Sequence, residues 1–197
     1  MIIQKDFYER DDVVLIAREL LGTVLHTRID NALTTGMIVE TEAYCGSIDR
    51  ASHAFPNRKT KRNHIMFDSG GKAYVYLIYG IHHLFNIVTN RSGAPDAVLI
   101  RALQPIQGIE TMMRRRDKSS SERITSGPGS LSQAMAIDLD LYGEDLQGNK
   151  VWLEYSGNGR NPREVVQTTR IGVEYAGEDA KLPWRFYYKD NPWISKP

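Results

Sequence analysis

The chain has 197 residues, of which 41% are hydrophobic and 25% are charged, and its formal net charge at pH 7 is +1. This length and composition predict one globular domain over residues 1–197 that buries a core of its own. The apolar runs are too short to cross a bilayer, and the N-terminal sequence lacks the pattern of a signal peptide. The one cysteine, Cys45, excludes an internal disulfide and a cysteine-based zinc cluster. We therefore expect a reduced, cytoplasmic protein.

The small net charge conceals a basic central segment. Residues 50–130 carry 13 basic and 5 acidic side chains, whereas the segments on either side are both net acidic. The basic residues are concentrated at 58–62 (RKTKR) and 114–118 (RRRDK). Such clusters are typical of proteins that bind a polyanion, although charge runs are also common on solvated surfaces.

The first part of the chain predicts a helix followed by a β-hairpin. Asp11 and Asp12 precede apolar residues at helical spacing that stop at Gly22, which indicates a capped amphipathic helix. Residues 23–29 and 34–44 then predict two strands joined across Asp30-Asn31. Residues 45–72 are polar and irregular, apart from a short helical turn near 63–67.

The remainder predicts more strands than helices. Runs rich in β-forming residues at 72–79 and 82–89 meet near Gly80, which indicates a hairpin with a protruding tip. The further predicted elements are a strand at 97–103 closed by Pro105, helices at 106–116 and 130–137, and strands at 151–155, 168–173 and 185–188. Because strands do not alternate regularly with long helices, we expect an α+β domain with a largely antiparallel sheet.

Several signatures of metal and cofactor enzymes are absent from the sequence. It contains no GxGxxG, GxxxxGK[ST], GxSxG or HExxH motif, and its five histidines lack the spacing of zinc ligands. The signature of the zinc deaminases is also missing. We therefore expect neither a metal nor an organic cofactor.

Two carboxylates lie in the strand-like run at 39–44 (VETEAY). With the two-residue period of a strand, Glu40, Glu42 and Tyr44 share one face. Paired carboxylates are a common way to prepare a general base, but a solvent-exposed acidic face on an edge strand also fits this segment. Arg101 lies in an apolar strand, so if buried it needs a carboxylate partner, for which Glu40 and Glu42 are the candidates.

Aromatic residues are concentrated at 74–79 (YVYLIY). Tyr74, Tyr76 and Ile78 share one face of the predicted strand, and aromatic residues at such positions are more often part of the core than of a binding site. Tyr79 is different, because it lies beside Gly80 at an exposed hairpin tip. A bulky side chain there can act as a wedge between base pairs.

Taken together, these motifs resemble those of the alkyladenine (3-methyladenine) DNA glycosylases. The resemblance covers essentially the whole chain, from Arg18 to Pro192, and the motifs follow one another in the order found in that family. The matching blocks are Glu40-Thr41-Glu42-Ala43-Tyr44 with Asp49, Ala51, His53, Thr60, Arg62-Asn63 and Met66-Phe67; residues 74–80 with Asn86; residues 98–103; Gly127-Pro128-Gly129 with Leu131; residues 170–173; and residues 183–186.

The resemblance implies a monofunctional glycosylase of base-excision repair. Such an enzyme flips alkylated or deaminated purines of the 3-methyladenine, 7-methylguanine and hypoxanthine class out of duplex DNA and hydrolyses the N-glycosidic bond, leaving an abasic site. By this resemblance Glu42 is the general base that activates water, and Arg101 and the main-chain carbonyl of Val173 hold that water. The family uses no metal and no organic cofactor.

The resemblance also implies roles around the base. Tyr44, His53 and Tyr76 would sandwich the flipped base, and Asn86 would crowd out the 2-amino group of normal guanine. Tyr79 would intercalate into the gap that the base leaves.

The implied partner is double-stranded DNA that contains damaged purines, bound by a nucleoid-associated monomer. The residues expected to contact its phosphates are Arg58, Lys59, Lys61 and Arg62.

The implied fold is a single compact α+β domain with a curved sheet, a protruding β-hairpin and peripheral helices. Two positions depart from the family: Leu84 replaces a frequent cysteine, and Ser130 replaces a lysine of many bacterial relatives.

Two other functions fit parts of this pattern. A non-catalytic nucleic-acid-binding module would use the aromatic residues to stack bases, but it has no need of Glu42 beside a buried Arg101. An O-glycoside hydrolase would use Glu40 and Glu42 as an acid–base pair. The basic central segment favours DNA over a neutral sugar.

Overall fold

A computed structural model describes residues 1–157 and 164–197 of the chain. It is organised around a curled antiparallel sheet in the order β3-β4-β5-β2-β1-β6, with β8 paired to β2 and β7 paired to β8. The strands are β1 (Val24–Ile29), β2 (Ala32–Tyr44), β3 (Ala73–Ile78), β4 (His82–Thr89), β5 (Asp96–Gln107), β6 (Val151–Glu154), β7 (Val165–Thr168) and β8 (Arg185–Tyr188). The predicted α+β class with a largely antiparallel sheet and a protruding hairpin is confirmed.

Short helices surround the sheet. They are α1 (Lys5–Tyr8), α2 (Val13–Glu19), α3 (Ile109–Arg115) and α4 (Pro128–Ala134), with 3-10 segments at His64–Phe67, Leu139–Leu141 and Glu174–Lys181. The predicted cap of α2 is present, since the Asp12 carboxylate accepts the Leu15 N–H at 2.9 Å. None of the helices in the described ranges is long and apolar enough to span a membrane.

The hairpin of β1 and β2 forms as predicted. Asp30 and Asn31 occupy its two-residue turn with φ of 51° and 60°. Left-handed backbone at both positions is what a type I′ turn needs, and Asn and Asp tolerate it better than other non-glycine residues.

The predicted boundaries of β5 and α3 are wrong. β5 runs through Pro105 to Gln107, and α3 begins only at Ile109. Pro105 lies opposite a register shift between Thr35 and Gly36 of β2, and such irregular positions tolerate a residue that has no N–H to donate. Helix α4 likewise begins at Pro128, two residues before the predicted start, because proline is favoured in the first turn of a helix.

The predicted strand at 168–173 is also wrong. β7 ends at Thr168, and residues 169–173 leave the sheet. Gly172 has a φ of 74°, which is incompatible with a continuing strand. This segment turns towards the end of β2, where it contributes to the site described below.

Strand β2 positions the site because it is paired on both edges. It pairs with β5 along most of its length, with β1 through its first half and with β8 at residues 40–42. The pairing of β2 with β5 is irregular at two positions: Val39 of β2 and Arg101 of β5 have no directly opposite residue in the register. Irregularities of this kind redirect side chains and are frequent next to active sites.

Candidate active site

A cavity of about 540 Å³ lies between the β3–β4 hairpin, the start of α4 and the segment 171–175. This volume is within the range of roughly 300–1,000 Å³ typical of small-molecule sites. The cavity brings together most of the residues that the sequence predicted for catalysis and base binding. Those that line it are Tyr44, His53, Tyr76, Tyr79, Asn86, Arg101 and Val173.

Glu42 lies directly behind residues of the cavity wall and is fully buried. Its Oε1 accepts the main-chain N–H of Ile171 at 2.8 Å. Its Oε2 accepts the Tyr44 hydroxyl at 2.8 Å and lies 3.2 Å from Nη1 of Arg101. These three residues all line the cavity, so they hold the carboxylate in a single orientation beside it.

Arg101 contacts both carboxylates that the sequence singled out. Its Nε donates to Oε1 of Glu40 at 3.0 Å, while Nη1 faces Glu42. Burial by itself lowers the pKa of this guanidinium, but the charges of Glu42 and Glu40 outweigh burial and raise it. Arg101 therefore remains a cation at the cavity wall.

The interpretation of the two carboxylates as an exposed acidic face on an edge strand is wrong. Glu40 and Glu42 are both fully buried, on a strand with neighbours on both sides. Glu40 accepts from Arg185 at 2.9 Å and from the main-chain N–H and hydroxyl of Ser195 at 2.6 and 2.8 Å, in addition to Arg101. A carboxylate so fully occupied is not available as the acid of a Glu40–Glu42 pair, which argues against an O-glycoside hydrolase.

The ring of Tyr44 is supported from outside the cavity by a buried ion pair. The guanidinium of Arg170 lies 4.8 Å from the ring centroid. Arg170 donates two hydrogen bonds to Asp49 and one to the Ala43 carbonyl at 3.0 Å, and the side chains of Arg170 and Asp49 are inaccessible to solvent. Burial and the neighbouring Glu42 raise the pKa of Tyr44 well above its usual value, so its hydroxyl remains a donor to Glu42.

His53 and Tyr76 form a second aromatic wall. Their ring centroids are 4.6 Å apart with an interplanar angle of 75°, which is an edge-to-face contact. The Nδ1 atom of His53 is 2.8 Å from the Tyr74 hydroxyl, which anchors the imidazole to the core. The His53 side chain keeps exposed surface, but its partial burial, with a contribution from the charge of Arg62, lowers its pKa to about 4. The imidazole is therefore neutral at physiological pH.

The lowered pKa of His53 predicts a pH-dependent contribution to stability. Because the folded value of about 4 is below the ordinary 6.5, the contribution is fully present above pH 6.5 and is lost as the pH falls towards 4. We expect the free energy of unfolding to fall more between pH 7 and pH 5 in the wild type than in His53→Asn, by a modest amount, because solvent screens the exposed part of the imidazole. Urea denaturation at both pH values measures this difference. His82→Asn, at an exposed position, should behave like the wild type, and an equal loss in all three proteins would contradict the prediction.

Asn86 and Leu84 lie on β4 and line the cavity. The amide of Asn86 is 4% exposed and donates to the main-chain carbonyl of Tyr74 at 3.1 Å, so its position is set by the hairpin. The carbonyl of Val173 accepts the N–H of Ala176 at 2.9 Å. A carbonyl oxygen has two lone pairs, and one remains for a further donor.

Tyr79 projects from the tip of the β3–β4 hairpin. Its side chain is 86% exposed, and its φ of 53° places a bulky residue in the left-handed region. That conformation is unfavourable for an aromatic residue, and such strain is concentrated at functional sites. The neighbouring Ile81 is also exposed, so the tip presents apolar surface next to the cavity mouth.

The sequence profile of the family described as Methylpurine-DNA glycosylase (MPG) matches residues 6–192. The chain belongs to this family.

Similar proteins extend over the full length of the chain. A protein of Carboxydothermus hydrogenoformans is 45% identical over 196 residues, and one of Alkaliphilus oremlandii is 44% identical over 204 residues, with complete coverage of both chains in each case. One of Natranaerobius thermophilus is 41% identical over 198 residues and covers 99% of each chain. The names of all three assign them, provisionally, to the 3-methyladenine DNA glycosylases. Membership of the family makes this chain a monofunctional DNA glycosylase of base-excision repair.

The basic segment of this glycosylase is on the surface. The four side chains that the sequence predicted for phosphate contacts are all exposed: Arg58, Lys59, Lys61 and Arg62. Two of them also pack on aromatic rings, with Lys59 Nζ 5.4 Å from the centroid of Phe67 and the Arg62 guanidinium 4.9 Å from that of Tyr76. Arg62 therefore links the basic segment to the aromatic wall of the cavity.

The sequence did not reveal several residues that shape the site of this glycosylase. It did not assign a role to Asp49 or Arg170, to the Ile171 N–H that binds Glu42, or to Ser195. Asp49 and residues 170–173 belong to the motifs that resemble the glycosylase family, but no local pattern indicates their contacts, because their partners are distant in sequence. Within residues 1–157 and 164–197, no group of three or more His, Cys, Asp or Glu side chains is arranged to hold a metal ion.

Proposed function

We propose that this glycosylase excises alkylated and deaminated purines from duplex DNA by a single-carboxylate mechanism. It flips the damaged nucleotide into the cavity, and Glu42 activates a water molecule for attack on the anomeric carbon. The observation that carries the proposal is the single carboxylate held by Arg101, Tyr44 and the Ile171 N–H behind the wall of an aromatic-lined cavity.

In this mechanism Glu42 removes a proton from the water while the water oxygen forms a bond to the anomeric carbon. The glycosidic bond breaks, and its electron pair leaves with the base. An N3- or N7-alkylated purine is cationic, so it departs as a neutral molecule without a further proton. Hypoxanthine is neutral and needs a proton at N7 as it leaves. A water molecule held in the cavity donates this proton and regains one from Glu42, which has taken up a proton from the attacking water. A general base must lie within hydrogen-bonding distance of its water. Since Glu42 has no exposed surface, we infer that the attacking water is an internal one, between Glu42, Arg101 and the Val173 carbonyl.

The aromatic walls suit the proposed substrates. A cationic purine is attracted to the faces of electron-rich rings, here those of Tyr44 and Tyr76. The neutral His53 adds no repulsion to a positively charged base. Asn86 lines the cavity and is held in place by its hydrogen bond to the Tyr74 carbonyl, which supports its proposed role in excluding the 2-amino group of guanine.

The alternative of a non-catalytic nucleic-acid-binding module does not account for the buried network around Glu42. A stacking platform requires exposed rings and basic side chains only. Burying two carboxylates and two guanidinium groups carries a large desolvation cost, and binding alone gives no reason to maintain it.

The direct test is incubation of the protein with duplexes that each contain one modified purine. The three lesions are 3-methyladenine, 7-methylguanine and hypoxanthine, with an undamaged duplex as the control. Abasic sites are revealed by alkaline cleavage of the strand. We expect cleavage of at least one lesion strand and none of the control, and the absence of cleavage for all three lesions would refute the proposal.

Tyr79→Ala tests the intercalation proposed for the hairpin tip. A wedge contributes only after a base has left the stack, so the substitution should reduce the flipped state more than it weakens binding to undamaged duplex. The measurement is the fluorescence of 2-aminopurine placed beside the lesion. Ile48→Ala, which also removes a highly exposed apolar side chain, is the matched control and should leave the signal unchanged. An unchanged signal in Tyr79→Ala would exclude the role.

Replacing Arg58, Lys59 and Lys61 with glutamine tests their contact with phosphates. We expect weaker binding to all duplexes alike, with the log–log salt slope reduced by about 0.9 for each lost contact. Arg62 is kept because it packs on Tyr76. A control with the same loss of charge replaces three exposed lysines that are paired with carboxylates elsewhere, namely Lys5, Lys150 and Lys189. A slope equal to that of the control would mean that the segment does not contact DNA.

A further inference from the structure

We infer that Glu40 and Ser195 are positioning residues, which orient Arg101 and through it Glu42. This inference rests on the proposed function and adds to it two residues outside the cavity wall. It begins from a buried carboxylate, Glu40, for which the single-carboxylate mechanism has no chemical use.

The guanidinium of Arg101 is held on all of its nitrogen atoms. Nε donates to Glu40 at 3.0 Å, Nη2 donates to the Ser195 hydroxyl at 3.3 Å, and Nη1 lies 3.2 Å from Glu42. Because a guanidinium is planar and rigid, fixing two of its nitrogens determines where the third one points. Glu40 and Ser195 therefore aim Nη1 at Glu42.

Ser195 also holds Glu40. Its main-chain N–H and its hydroxyl donate to the two different oxygens of the Glu40 carboxylate, at 2.6 and 2.8 Å. The same hydroxyl oxygen accepts from Arg101, so one side chain links the carboxylate to the guanidinium. A hydroxyl has one donor and two acceptor sites, which makes this double role chemically consistent.

The segment that carries Ser195 is fastened by two further arginines. Arg185 donates to Glu40 at 2.9 Å and to the main-chain carbonyl of Lys196 at 2.8 Å. Arg123 donates to the main-chain carbonyl of Ser195 at 3.2 Å. Main-chain contacts on both sides of the hydroxyl keep Ser195 in place, and its alignment with Arg101 does not depend on the exposed side chain of Lys196.

The alignment matters because misplacing a catalytic group by about 1 Å reduces rates by orders of magnitude. Arg101 is the residue through which the network reaches the cavity, since Arg101 lines the cavity and neither Glu40 nor Ser195 does. Loosening the guanidinium should therefore slow the chemical step and leave the binding of the base unchanged.

Glu40→Gln would leave a buried charge unpaired. Ser195→Ala removes only a neutral hydroxyl, so it tests this inference without that complication. We expect its single-turnover excision rate at saturating enzyme to fall about tenfold, the effect of losing hydrogen bonds to charged groups. The Kd for the lesion duplex should not change. Ser195→Thr, which keeps the hydroxyl, should restore the rate. Lys196→Ala, in the same segment, keeps all main-chain contacts and should match the wild type.

Each other outcome contradicts the inference. A wild-type rate in Ser195→Ala would show that the hydroxyl does not position Arg101. A parallel loss of rate and affinity that threonine does not restore would show a general structural role instead. Measuring Glu42→Gln in the same assay distinguishes a failure of this inference from a failure of the proposed function. If Glu42→Gln is inactive and Ser195→Ala is normal, only this inference fails, whereas an active Glu42→Gln overturns the proposed function itself.

Discussion

Glu42→Gln is expected to abolish excision while DNA binding stays near the wild-type level. The amide keeps the size of the carboxylate but cannot take a proton from water. General-base catalysis is typically worth about 10²–10⁴-fold, so the single-turnover rate should fall by at least about 100-fold. The measurement is the rate of abasic-site formation in a lesion duplex at saturating enzyme, with the Kd determined separately.

This substitution also changes the hydrogen bonding around residue 42, which calls for a folding control. Glu42 receives the Ile171 N–H on one oxygen and Tyr44 with Arg101 on the other. A glutamine side chain has only one oxygen. Either the Ile171 N–H or the pair of Tyr44 and Arg101 would therefore face an NH₂ group and lose its acceptor. Thermal unfolding should confirm that the variant is folded at the assay temperature. Glu144→Gln, which neutralises a half-buried carboxylate paired with Lys150, is the matched control and should retain full activity. Residual activity of Glu42→Gln above about a tenth of the wild type would be incompatible with its role as general base.

The largest effect on stability is expected for Asp49→Asn. Asp49 and Arg170 form an ion pair whose two side chains are inaccessible to solvent. Removing one partner of a buried pair leaves an uncompensated charge and costs about 3–5 kcal/mol of the free energy of unfolding. For a protein of this size, that loss corresponds to a decrease in Tm of roughly 10 °C. Urea denaturation and calorimetry measure the two quantities independently.

Two comparisons make this prediction specific. Asp145→Asn breaks an exposed pair with Lys72 and should cost no more than about 1 kcal/mol. The double variant Asp49→Asn with Arg170→Met removes both charges, so it should be more stable than Asp49→Asn alone. A cost below about 1 kcal/mol for Asp49→Asn, or a double variant less stable than the single one, would show that this pair does not stabilise the fold as described.

The elements predicted best from sequence are those whose signals are local. The cap at Asp12, the turn at Asp30-Asn31 and the hairpin tip at Tyr79-Gly80 depend on side-chain chemistry within a few residues, and all three are present. The alternation along β3 and β4 likewise gave the hairpin that carries the aromatic residues of the cavity. Propensity and spacing suffice for such features.

The predictions that failed involve residues whose conformation depends on distant partners. Pro105 predicts the end of a strand by itself, but the irregular β2–β5 pairing accommodates it. Residues 168–173 are strand-like in composition, yet Arg170 binds Asp49 and the Ile171 N–H binds Glu42, so the segment leaves the sheet. Contacts separated by more than 100 positions in the chain override local propensity here.

The sequence by itself determined the α+β class, the strand that carries Glu40 and Glu42, and the need of a buried Arg101 for a carboxylate partner. It did not determine whether those carboxylates face solvent or which groups bind each of them. The tertiary structure decided both. Pairing β2 on both edges buries the two carboxylates, and the register irregularity at Arg101 brings its guanidinium between them. The physical reason is that burial and charge pairing depend on which segments are neighbours in space. For Ile171 and Ser195, which bind Glu42 and Glu40 from the far end of the chain, only the folded protein establishes that proximity.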